Sequence, residues 1–164
     1  TQDVDFRRFV FPLDALLEWN RLYGRAGAVQ FQCLIPSSAA RSAFRKILTL
    51  AAEGAVASPL AVIKTMGPEG RGMLSFGGPG FTLALDFPRR ATTDALIRDL
   101  HAIAIEHGGR LYLAKDACLR PEELDRMYPQ AEQFRSLIRR IDPAGIMQSD
   151  MARRLGLVGK KGNA

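Results

Sequence analysis

The sequence predicts an α+β fold, because strand-like and helix-like segments follow one another in a diagnostic order. Between residues 28 and 114 the order is strand, helix, strand, strand, helix, strand. Residues 81–87 alternate side-chain character with period two, and a later stripe from Leu96 to Ala104 repeats at helical spacing. This order is that of the ferredoxin-like split βαβ fold, an antiparallel sheet with both helices on one face.

Four segments have the composition of β-strands and end at turn-forming residues. They cover residues 28–35, 60–64, 81–87 and 110–114. Pro36 and Pro88 end the first and third segments, and the glycine-rich run 77–80 marks the turn before the third.

Two amphipathic helices separate these strands. The first is predicted to begin at the serine pair 37–38, which are good N-caps, and to end at Gly54. The second is predicted to begin at the threonine pair 92–93 and to end at the glycine pair 108–109. Their apolar stripes are Phe44, Ile47, Leu48 and Ala51 in the first helix, and Leu96, Ile97, Leu100, Ile103 and Ala104 in the second.

The segments on either side of this unit are predicted to be mainly helical. Asp14 is expected to cap a short helix that runs to Tyr23. Further along the chain, helices are predicted over residues 122–128 and 131–141, and Ser149 is expected to cap a short final helix.

The chain is basic, with 23 Lys and Arg against 17 Asp and Glu and a formal net charge of +6. One interpretation is an anion-facing patch, and the other is a solvated helix face followed by a disordered tail. The residues concerned are Arg135, Arg139, Arg140, Arg153, Arg154, Lys160 and Lys161. No apolar run approaches the ~20 residues that a membrane span requires.

The cysteines and histidines do not suggest a metal or nucleophilic site. Cys33 lies in a strand pattern and is expected to fill the core. His101 and His107 lie in one helical segment without a neighbouring Ser or Cys nucleophile, and we expect them on the surface or at the helix end. We therefore predict no metal site.

Strand parity predicts a polar face on the sheet. The apolar side chains of the strands must lie under the helices, so the alternate residues share the other face. That face gathers Gln30, Gln32, Lys64, Thr82, Ala84, Asp86 and Tyr112. A plain solvated face is one interpretation. A ligand-binding face is the other, favoured by directional hydrogen-bonding groups and by the small Ala84 at its centre.

An RNA-binding sheet is a further alternative, because RNA-recognition domains share this topology and display aromatic residues on the free face. Here Phe81 and Phe87 have the parity of the buried Leu83 and Leu85, and no Lys or Arg precedes Gly80. The sequence therefore disfavours nucleic acid as a partner.

A series of local strings runs along residues 9–157 of the chain. In order they are Phe11-Pro12-Leu13-Asp14, Glu18-Trp19-Asn20-Arg21, Leu22-Tyr23-Gly24, Gln30-Phe31-Gln32, Lys64 with Gly67-Pro68, Leu74-Ser75-Phe76, Pro79-Gly80-Phe81, Asp86-Phe87-Pro88, Gly108-Gly109-Arg110-Leu111-Tyr112-Leu113-Ala114-Lys115-Asp116, Met127-Tyr128-Pro129, Ile141-Asp142-Pro143 and Gln148-Ser149-Asp150. In this order and spacing they resemble the decaprenylphosphoryl-ribose oxidases, within the vanillyl-alcohol-oxidase-like flavoproteins.

The resemblance implies a two-domain enzyme in which an upstream domain binds FAD and this chain lies over the isoalloxazine ring. It divides the chain into a lead-in from a missing upstream FAD-binding domain, a ferredoxin-like substrate-binding domain, a C-terminal helical segment and a disordered tail. These parts cover residues 1–27, 28–120, 121–157 and 158–164. The sequence shows no glycine-rich flavin-binding segment, so the chain alone is expected neither to hold FAD firmly nor to turn over.

The implied reaction oxidises a secondary hydroxyl of a lipid-phosphate-linked ribose, with hydride transfer to the flavin. The implied partners are this sugar substrate and an NAD(P)-dependent reductase. The implied location is cytoplasmic, at the inner membrane surface, with contact to the membrane through the ligand rather than an anchor.

The resemblance also implies roles for individual residues. Lys115 is the candidate base or alkoxide-stabilising group and also a flavin contact, and Tyr112 positions the substrate or relays a proton. Lys64 binds the substrate phosphate or the flavin, whereas Gln30 and Gln32 orient sugar hydroxyls.

Two departures bear on these roles. Thr82 and Ala84, assigned to substrate binding, stand where relatives often carry Asn and Cys, which changes the shape of the pocket. Tyr112 and Lys115 are three residues apart, so a regular strand would point them to opposite faces. The strand must therefore end or bulge near Ala114 for both to serve one site, or Lys115 simply leaves the sheet in a turn.

Two other readings of the chain stay open. One is an aldonolactone or alditol oxidase of the same superfamily, whose usual His-Trp motif this sequence lacks. The other is a stand-alone ferredoxin-like binding domain without redox chemistry.

Overall fold

The computed structural model describes residues 3–15, 17–18, 21, 23–54 and 58–158. Within them the strands are β1 (Ala28–Ile35), β2 (Ala61–Met66), β3 (Gly80–Pro88) and β4 (Arg110–Leu111). The helices are α1 (Phe6–Val10), α2 (Ser37–Glu53), α3 (Thr93–Glu106), α4 (Pro121–Met127), α5 (Ala131–Ile141) and α6 (Asp150–Arg154), with 3₁₀ turns at Pro12–Ala15 and Leu113–Lys115. The predicted order of elements from β1 to β4 is confirmed.

The strands form one antiparallel sheet in the order β2-β3-β1-β4, as the ferredoxin-like fold requires. In the central pair, β1 and β3, the register sets Phe31 opposite Leu85. β3 begins at Gly80, whose φ is +155°, and a Cβ there would lie 2.2 Å from the carbonyl oxygen of Ile35. Only glycine therefore lets the chain enter the sheet this close to the end of β1.

The hydrophobic core lies between the sheet and helices α2 and α3. The apolar faces of strands and helices point at each other, as the periods of two and 3.6 dictate, and bury each other from water. The sheet contributes Val29, Phe31, Cys33, Leu83, Leu85 and Phe87, and the helices contribute Ala43, Phe44, Ile47, Leu96, Ile97, Leu100 and Ala104. The predicted core positions of the strand residues, Cys33 included, are confirmed. The predicted helix stripes are confirmed as well, except that Leu48 of α2 is 38% exposed.

β4 is shorter than predicted, because the sequence suggested a strand to Ala114 and the paired part ends at Leu111. Side chains at the end of α4 bond to the backbone N–H and carbonyl oxygen of Leu111. Its carbonyl oxygen accepts a hydrogen bond from the Tyr128 hydroxyl at 2.5 Å, and its N–H donates to the Met127 sulfur at 3.3 Å. These side chains take the place of a further strand at an otherwise open edge.

Of the C-terminal helices, α4 packs beside α3, and α5 packs on α4. The predicted helix over 131–141 is confirmed, and the one before it is shifted by a single residue, to 121–127. Ser149 caps α6 as predicted, accepting a hydrogen bond from the Ala152 N–H at 3.1 Å. The buried apolar side chains of this part are Leu119, Leu124, Met127, Tyr128, Ala131, Leu155 and Leu157.

The lead-in differs from the prediction. No continuous right-handed helix runs from Asp14 to Tyr23, because Glu18 has a left-handed φ of +53°. The chain instead forms α1, capped by the Asp5 carboxylate, and the 3₁₀ turn Pro12–Ala15. Trp19, Asn20 and Leu22, which belong to the resemblance, lie outside the described residues.

The predicted N-cap is wrong for α2 and confirmed in position for α3. Pro36 rather than a serine is the N-cap of α2, and Thr92 is the N-cap of α3; neither helix has a side-chain cap hydrogen bond. Thr93 instead accepts a hydrogen bond from the Arg90 N–H and donates one to the Pro88 carbonyl oxygen, both at 2.9 Å. Tertiary contacts at the end of β3 thus hold the start of α3.

The two histidines have different environments. His107 lies at the C-terminal end of α3, as predicted. His101 is only 2% exposed and its ring stacks on Phe31 with centroids 6.1 Å apart, so the expected surface position is wrong. The parity of α3 points it at the sheet, where an imidazole substitutes for an apolar side chain.

Most of the basic side chains that cluster after residue 130 meet carboxylates. Arg135 pairs with Asp125 at 2.6 Å and Arg139 with Glu132 at 2.7 Å. This pairing favours a solvated ionic face over an anion-binding patch. Lys160 and Lys161, with the rest of the predicted tail beyond residue 158, lie outside the described residues. No helix in the described part of the chain has the length and hydrophobicity to cross a membrane.

Candidate functional site

The sheet face opposite the helices brings the predicted polar side chains together. We call it the open face, and it comprises Gln30, Gln32, Lys64, Thr82, Ala84, Asp86 and Tyr112. The register sets Lys64 opposite Thr82 and Gln32 opposite Ala84, and directly opposed residues share a face. The Tyr112 N–H donates to the Gln32 carbonyl oxygen at 2.8 Å, so Tyr112 lies beside Gln32 on the other flank of β1.

The centre of the open face is a hydrogen-bonded pair. Gln32 Nε2 donates to Thr82 Oγ1 at 3.1 Å, and Thr82 is 1% exposed. Ala84 is small and half-buried, and it leaves space beside this pair. The Gln32 amide is therefore held in place while its carbonyl oxygen and second hydrogen can face a ligand.

The loop between β2 and β3 folds over one end of the open face. The Phe76 ring lies against Tyr112, with centroids 4.7 Å apart and planes tilted by 31°. Arg110 anchors the loop, since it donates to the Ser75 carbonyl oxygen at 3.1 Å and pairs with Glu69 at 2.8 Å. The loop thus fixes the Tyr112 ring at the margin of the site.

The lead-in closes the opposite end. The Tyr23 hydroxyl donates to Asp86 Oδ2 at 2.6 Å. The Asp86 N–H donates to Ser58 Oγ at 2.9 Å, and the Asp86 side chain is buried. The open face is therefore bounded at both ends by segments outside the sheet.

Tyr112 and Lys115 are related by a turn rather than by a strand. The Lys115 N–H donates to the Tyr112 carbonyl oxygen at 2.8 Å, and residues 113–115 form a 3₁₀ turn. In 3₁₀ geometry residues three apart eclipse each other, so the opposite orientation imposed by a strand does not arise. The predicted end of the strand is found, although it comes at Leu111 rather than near Ala114. Lys115 is half-buried, at the end of the turn that starts from Tyr112.

The aromatic side chains of β3 face the core. Phe87 is buried and Phe81 packs against the core cluster, as their parity predicted. An RNA-recognition sheet would need them on the open face.

Neither cysteine is suited to thiolate chemistry. Burial raises the pKa of the Cys33 thiol to about 12 and that of the Cys118 thiol to about 11. Among the described residues, no group of three or more His, Cys, Asp and Glu side chains is placed to hold a metal ion.

Comparison with known proteins identifies the family. A family model described as D-arabinono-1,4-lactone oxidase matches residues 80–155. The decaprenylphosphoryl-β-D-ribose oxidase of Mycolicibacterium smegmatis is 39% identical over 151 residues, which are 92% of this chain and 33% of that protein. The chain belongs to the FAD-linked oxidases.

A second relative is similar to a comparable part of the chain. An uncharacterised protein of Streptomyces coelicolor, encoded in the mprA 5′ region, is 37% identical over 144 residues, 87% of this chain and 39% of that protein. The chain thus spans about a third of the length of the curated relatives it matches, and it corresponds to the C-terminal region of the family.

The open face fits the isoalloxazine ring of the FAD that this oxidase family uses. The edge of that ring presents carbonyl oxygens and ring nitrogens, for which Lys64 and Lys115 offer ammonium donors and Gln30 and Gln32 offer amides. The turn from β1 into α2 begins with Pro36 and lacks the glycines of a dinucleotide-binding turn.

Two residues at the site were not singled out for it by sequence reasoning. Phe76 lies in a loop without periodicity, and Tyr23 lies in the irregular lead-in. Neither segment has a pattern that predicts contact with the open face. Only the folded chain shows that they bound it.

Proposed function

We propose that this chain is the substrate-facing part of an FAD-dependent oxidoreductase that oxidises a secondary hydroxyl of a sugar. The observation that carries the proposal is the convergence of Gln32, Lys64 and Tyr112 on one sheet face, with the Lys115 turn at its margin. Similarity to decaprenylphosphoryl-β-D-ribose oxidase favours a lipid-phosphate-linked ribose as the substrate. A substrate with such a lipid would be met at a membrane surface, and an NAD(P)-dependent reductase is the proposed partner.

Lys115 and Tyr112 are the proposed catalytic residues. FAD, when bound, accepts the hydride that leaves the carbinol carbon. Loss of hydride is easier as the hydroxyl proton is withdrawn, so a basic or cationic group is needed near that oxygen. Lys115 would take this proton when neutral, or stabilise the alkoxide when charged. Tyr112, its ring held by Phe76, would position the hydroxyl or relay its proton.

The other residues of the open face are proposed to bind. Lys64 is exposed on the edge strand β2, where its ammonium can reach the substrate phosphate or the flavin edge. Gln30 and Gln32 would orient sugar hydroxyls through directional amide hydrogen bonds. Thr82, fixed by Gln32, and Ala84 would shape the pocket wall.

The proposed arrangement of the whole oxidase explains an otherwise unfavourable surface. Residues 1–27 would lead in from the FAD-binding domain, residues 28–120 would form the substrate-binding domain, and residues 121–157 would buttress it. Large apolar side chains of the lead-in are exposed, namely Val4, Phe6, Phe9, Val10, Phe11, Leu13 and Leu17. Exposed apolar side chains in such number are typical of a contact region, which we assign to the flavin-binding part. The chain by itself is proposed to be inactive.

A second candidate is the oxidation of an aldonolactone. The match of residues 80–155 to the D-arabinono-1,4-lactone oxidase model favours it. The same amides and lysines would then hold a small hydroxylated ring, and no phosphate would be needed. The two candidates differ in their requirement for a phosphate-linked lipid.

The test uses the complete oxidase, in which this chain is joined to its flavin-binding part. Under anaerobic conditions a polyprenyl-phosphoryl ribose should bleach the flavin absorbance band. Lys115→Ala should slow that bleaching by about 100- to 10,000-fold, because it removes the acid–base group. Lys46→Ala is the matched control, since Lys46 pairs with Glu106 on the helical side of the fold and should leave the rate unchanged.

Other results would redirect the assignment. Bleaching by an aldonolactone and not by the phosphoryl ribose would establish the second candidate. A complete protein that holds no flavin would leave a non-catalytic binding domain.

A further inference from the structure

The residue that follows Lys115 has a buried carboxylate. The Asp116 side chain is 0% exposed. Its Oδ1 accepts hydrogen bonds from the N–H groups of Cys118 at 3.0 Å and Leu119 at 2.7 Å. Oδ1 thus holds the loop that follows the 3₁₀ turn, and Oδ2 can bond to a partner outside that loop.

That outside partner is Arg154, which lies 38 residues further along the chain. Arg154 Nη2 donates to Asp116 Oδ2 at 2.7 Å, and Nη1 donates to the Leu119 carbonyl oxygen at 2.5 Å. Arg154 is the last residue of α6, and the apolar residues Leu155 and Leu157 after it are buried in the core. The guanidinium therefore ties the loop after Lys115 to an anchored segment.

This latch, formed by Asp116 and Arg154, bears on Lys115 because it is the side-chain link that ties the turn to the C-terminal segment. The remaining bonds are of the backbone: β4 supplies two paired residues, the Tyr112 N–H donates to Gln32, and bonds within the turn join Lys115 to Tyr112 and Asp116 to Leu113. A buried carboxylate that loses its cation is costly to leave unpaired. Loss of Arg154 would therefore drive Asp116 towards water and displace the residue beside it.

We propose that Arg154 and Asp116 are a positioning pair that sets the place of the Lys115 ammonium at the open face. The proposed effect on catalysis rests on the function proposed above, whereas the position of the Lys115 ammonium does not. A displacement of about 1 Å in a catalytic group can cost about a hundredfold in rate, so a latch outside the site can matter for the reaction.

The test follows the Lys115 side chain directly in this chain. Reductive ¹³C-methylation labels its five lysines, and Lys115→Arg identifies the Lys115 resonance by its loss. Arg154→Ala and Asp116→Asn should each shift and broaden that resonance. Asp116→Asn retains an oxygen for the two N–H donors of the loop, so it tests the ion pair even if Arg154→Ala disturbs folding. Arg154→Lys should restore part of the original resonance position.

Arg153→Ala is the matched control. Arg153 neighbours Arg154 in α6, but its guanidinium bonds to Asp150 and Gln148 instead. This substitution should leave the Lys115 resonance where it is. An equal shift in Arg153→Ala would show that any change in α6 moves the turn, and would overturn the specific role of Arg154.

Kinetics of the complete oxidase then separate positioning from simple destabilisation. Arg154→Ala should lower kcat about tenfold or more while KM changes less than about threefold, because the substrate still binds to a misaligned group. A Lys115 resonance that stays in place in both Arg154→Ala and Asp116→Asn would overturn the latch, whatever the activity. A resonance that moves in a protein without oxidase activity would keep the latch and reject the proposed function instead.

Discussion

Two buried titratable residues of the core, Glu123 and His101, have pKa values below their ordinary ones. Burial raises the pKa of the Glu123 carboxyl, but hydrogen bonds from the Arg120 side chain and N–H outweigh it, so this pKa lies below its ordinary value. Burial lowers the pKa of His101, and the nearby carboxylates of Glu123 and Asp116 offset this only in part. Among the described buried side-chain atoms, His101 Nδ1 is without a hydrogen-bond partner, 3.9 Å from Glu123 Oε2.

We expect His101 to make the protein less stable in acid, and His101→Phe to remove that dependence. In the unfolded chain His101 takes up a proton below pH about 6.5. The folded protein resists protonation to lower pH, so the unfolded state binds more protons in that window. The free energy of unfolding therefore falls as the pH drops through it, by at most ~1.4 kcal/mol per pH unit for one proton.

Denaturant unfolding of both proteins from about pH 7 down to about pH 5 spans the window around the ordinary histidine pKa and measures this difference. His107 is retained in both, so the difference between the two curves isolates His101. Phe in place of the imidazole keeps an aromatic ring against Phe31. Parallel curves would show that protonation of His101 does not contribute.

At the scale of the element, β4 shows how side chains can end a sheet. Leu111 is buried, so its carbonyl oxygen and N–H need hydrogen-bond partners from within the protein. Tyr128 and Met127, at the end of α4, supply the missing partners. These two hydrogen bonds couple the edge of the sheet to α4. They also fix the point in the chain at which the turn to Lys115 follows β4.

We expect Tyr128→Phe to destabilise the fold by about 1–3 kcal/mol, because it leaves a buried carbonyl oxygen without a donor. Tyr112→Phe removes the same atom from a tyrosine whose hydroxyl makes no hydrogen bond within the described chain, and should change stability by less than about 0.5 kcal/mol. Urea unfolding of the two variants measures the contrast. Equal effects would mean that the Tyr128 hydroxyl bond does not hold the β4 edge.

At the scale of the whole molecule, the chain has a packed unit and a lead-in whose first part contributes no described side chain to the core. Every described side chain between residues 3 and 18 is exposed, including large ones such as Phe6 and Phe9. Tyr23 is one described residue through which the lead-in meets the packed unit, by its bond to Asp86. The apolar lead-in is therefore available for a contact beyond this chain.

Removing residues 1–18 should change the Tm of this chain by less than about 2 °C, since no described side chain there is buried. Extending the truncation to residue 24 also removes the Tyr23–Asp86 bond and should lower the Tm by a further few degrees, about 2–4 °C for each kcal/mol lost. Calorimetry of the two truncated chains gives the comparison. A large loss from the first truncation would place residues 1–18 in the packed unit.

The same lead-in should matter in the complete oxidase. Serine at both Phe6 and Phe9 should increase the rate at which flavin is lost from the complete protein, because it weakens the proposed contact. Flavin release, followed by fluorescence, checks this. An unchanged rate of flavin release would show that Phe6 and Phe9 do not make the proposed contact.

Much of the fold could be predicted from the sequence, because local periodicity and global packing agree in its central part. β1 was predicted to the residue, and α5 likewise. The order of the strands follows from topology rules, and together with strand parity it groups Gln32, Lys64 and Thr82 on one face. The lead-in was not predictable in this way, since it has no buried face to impose a period.

The sequence by itself determined which side chains share a sheet face, because strand parity is a local property of the backbone. It also determined the family, through strings whose order and spacing run along the chain. Only the tertiary structure decided what surrounds that face. Phe76 and Tyr23 reach it from distant segments, and whether two such segments meet depends on how loops and helices pack. The orientation of Tyr112 and Lys115 was decided in the same way, because a bond from α4 to Leu111 ends the strand and lets the turn begin.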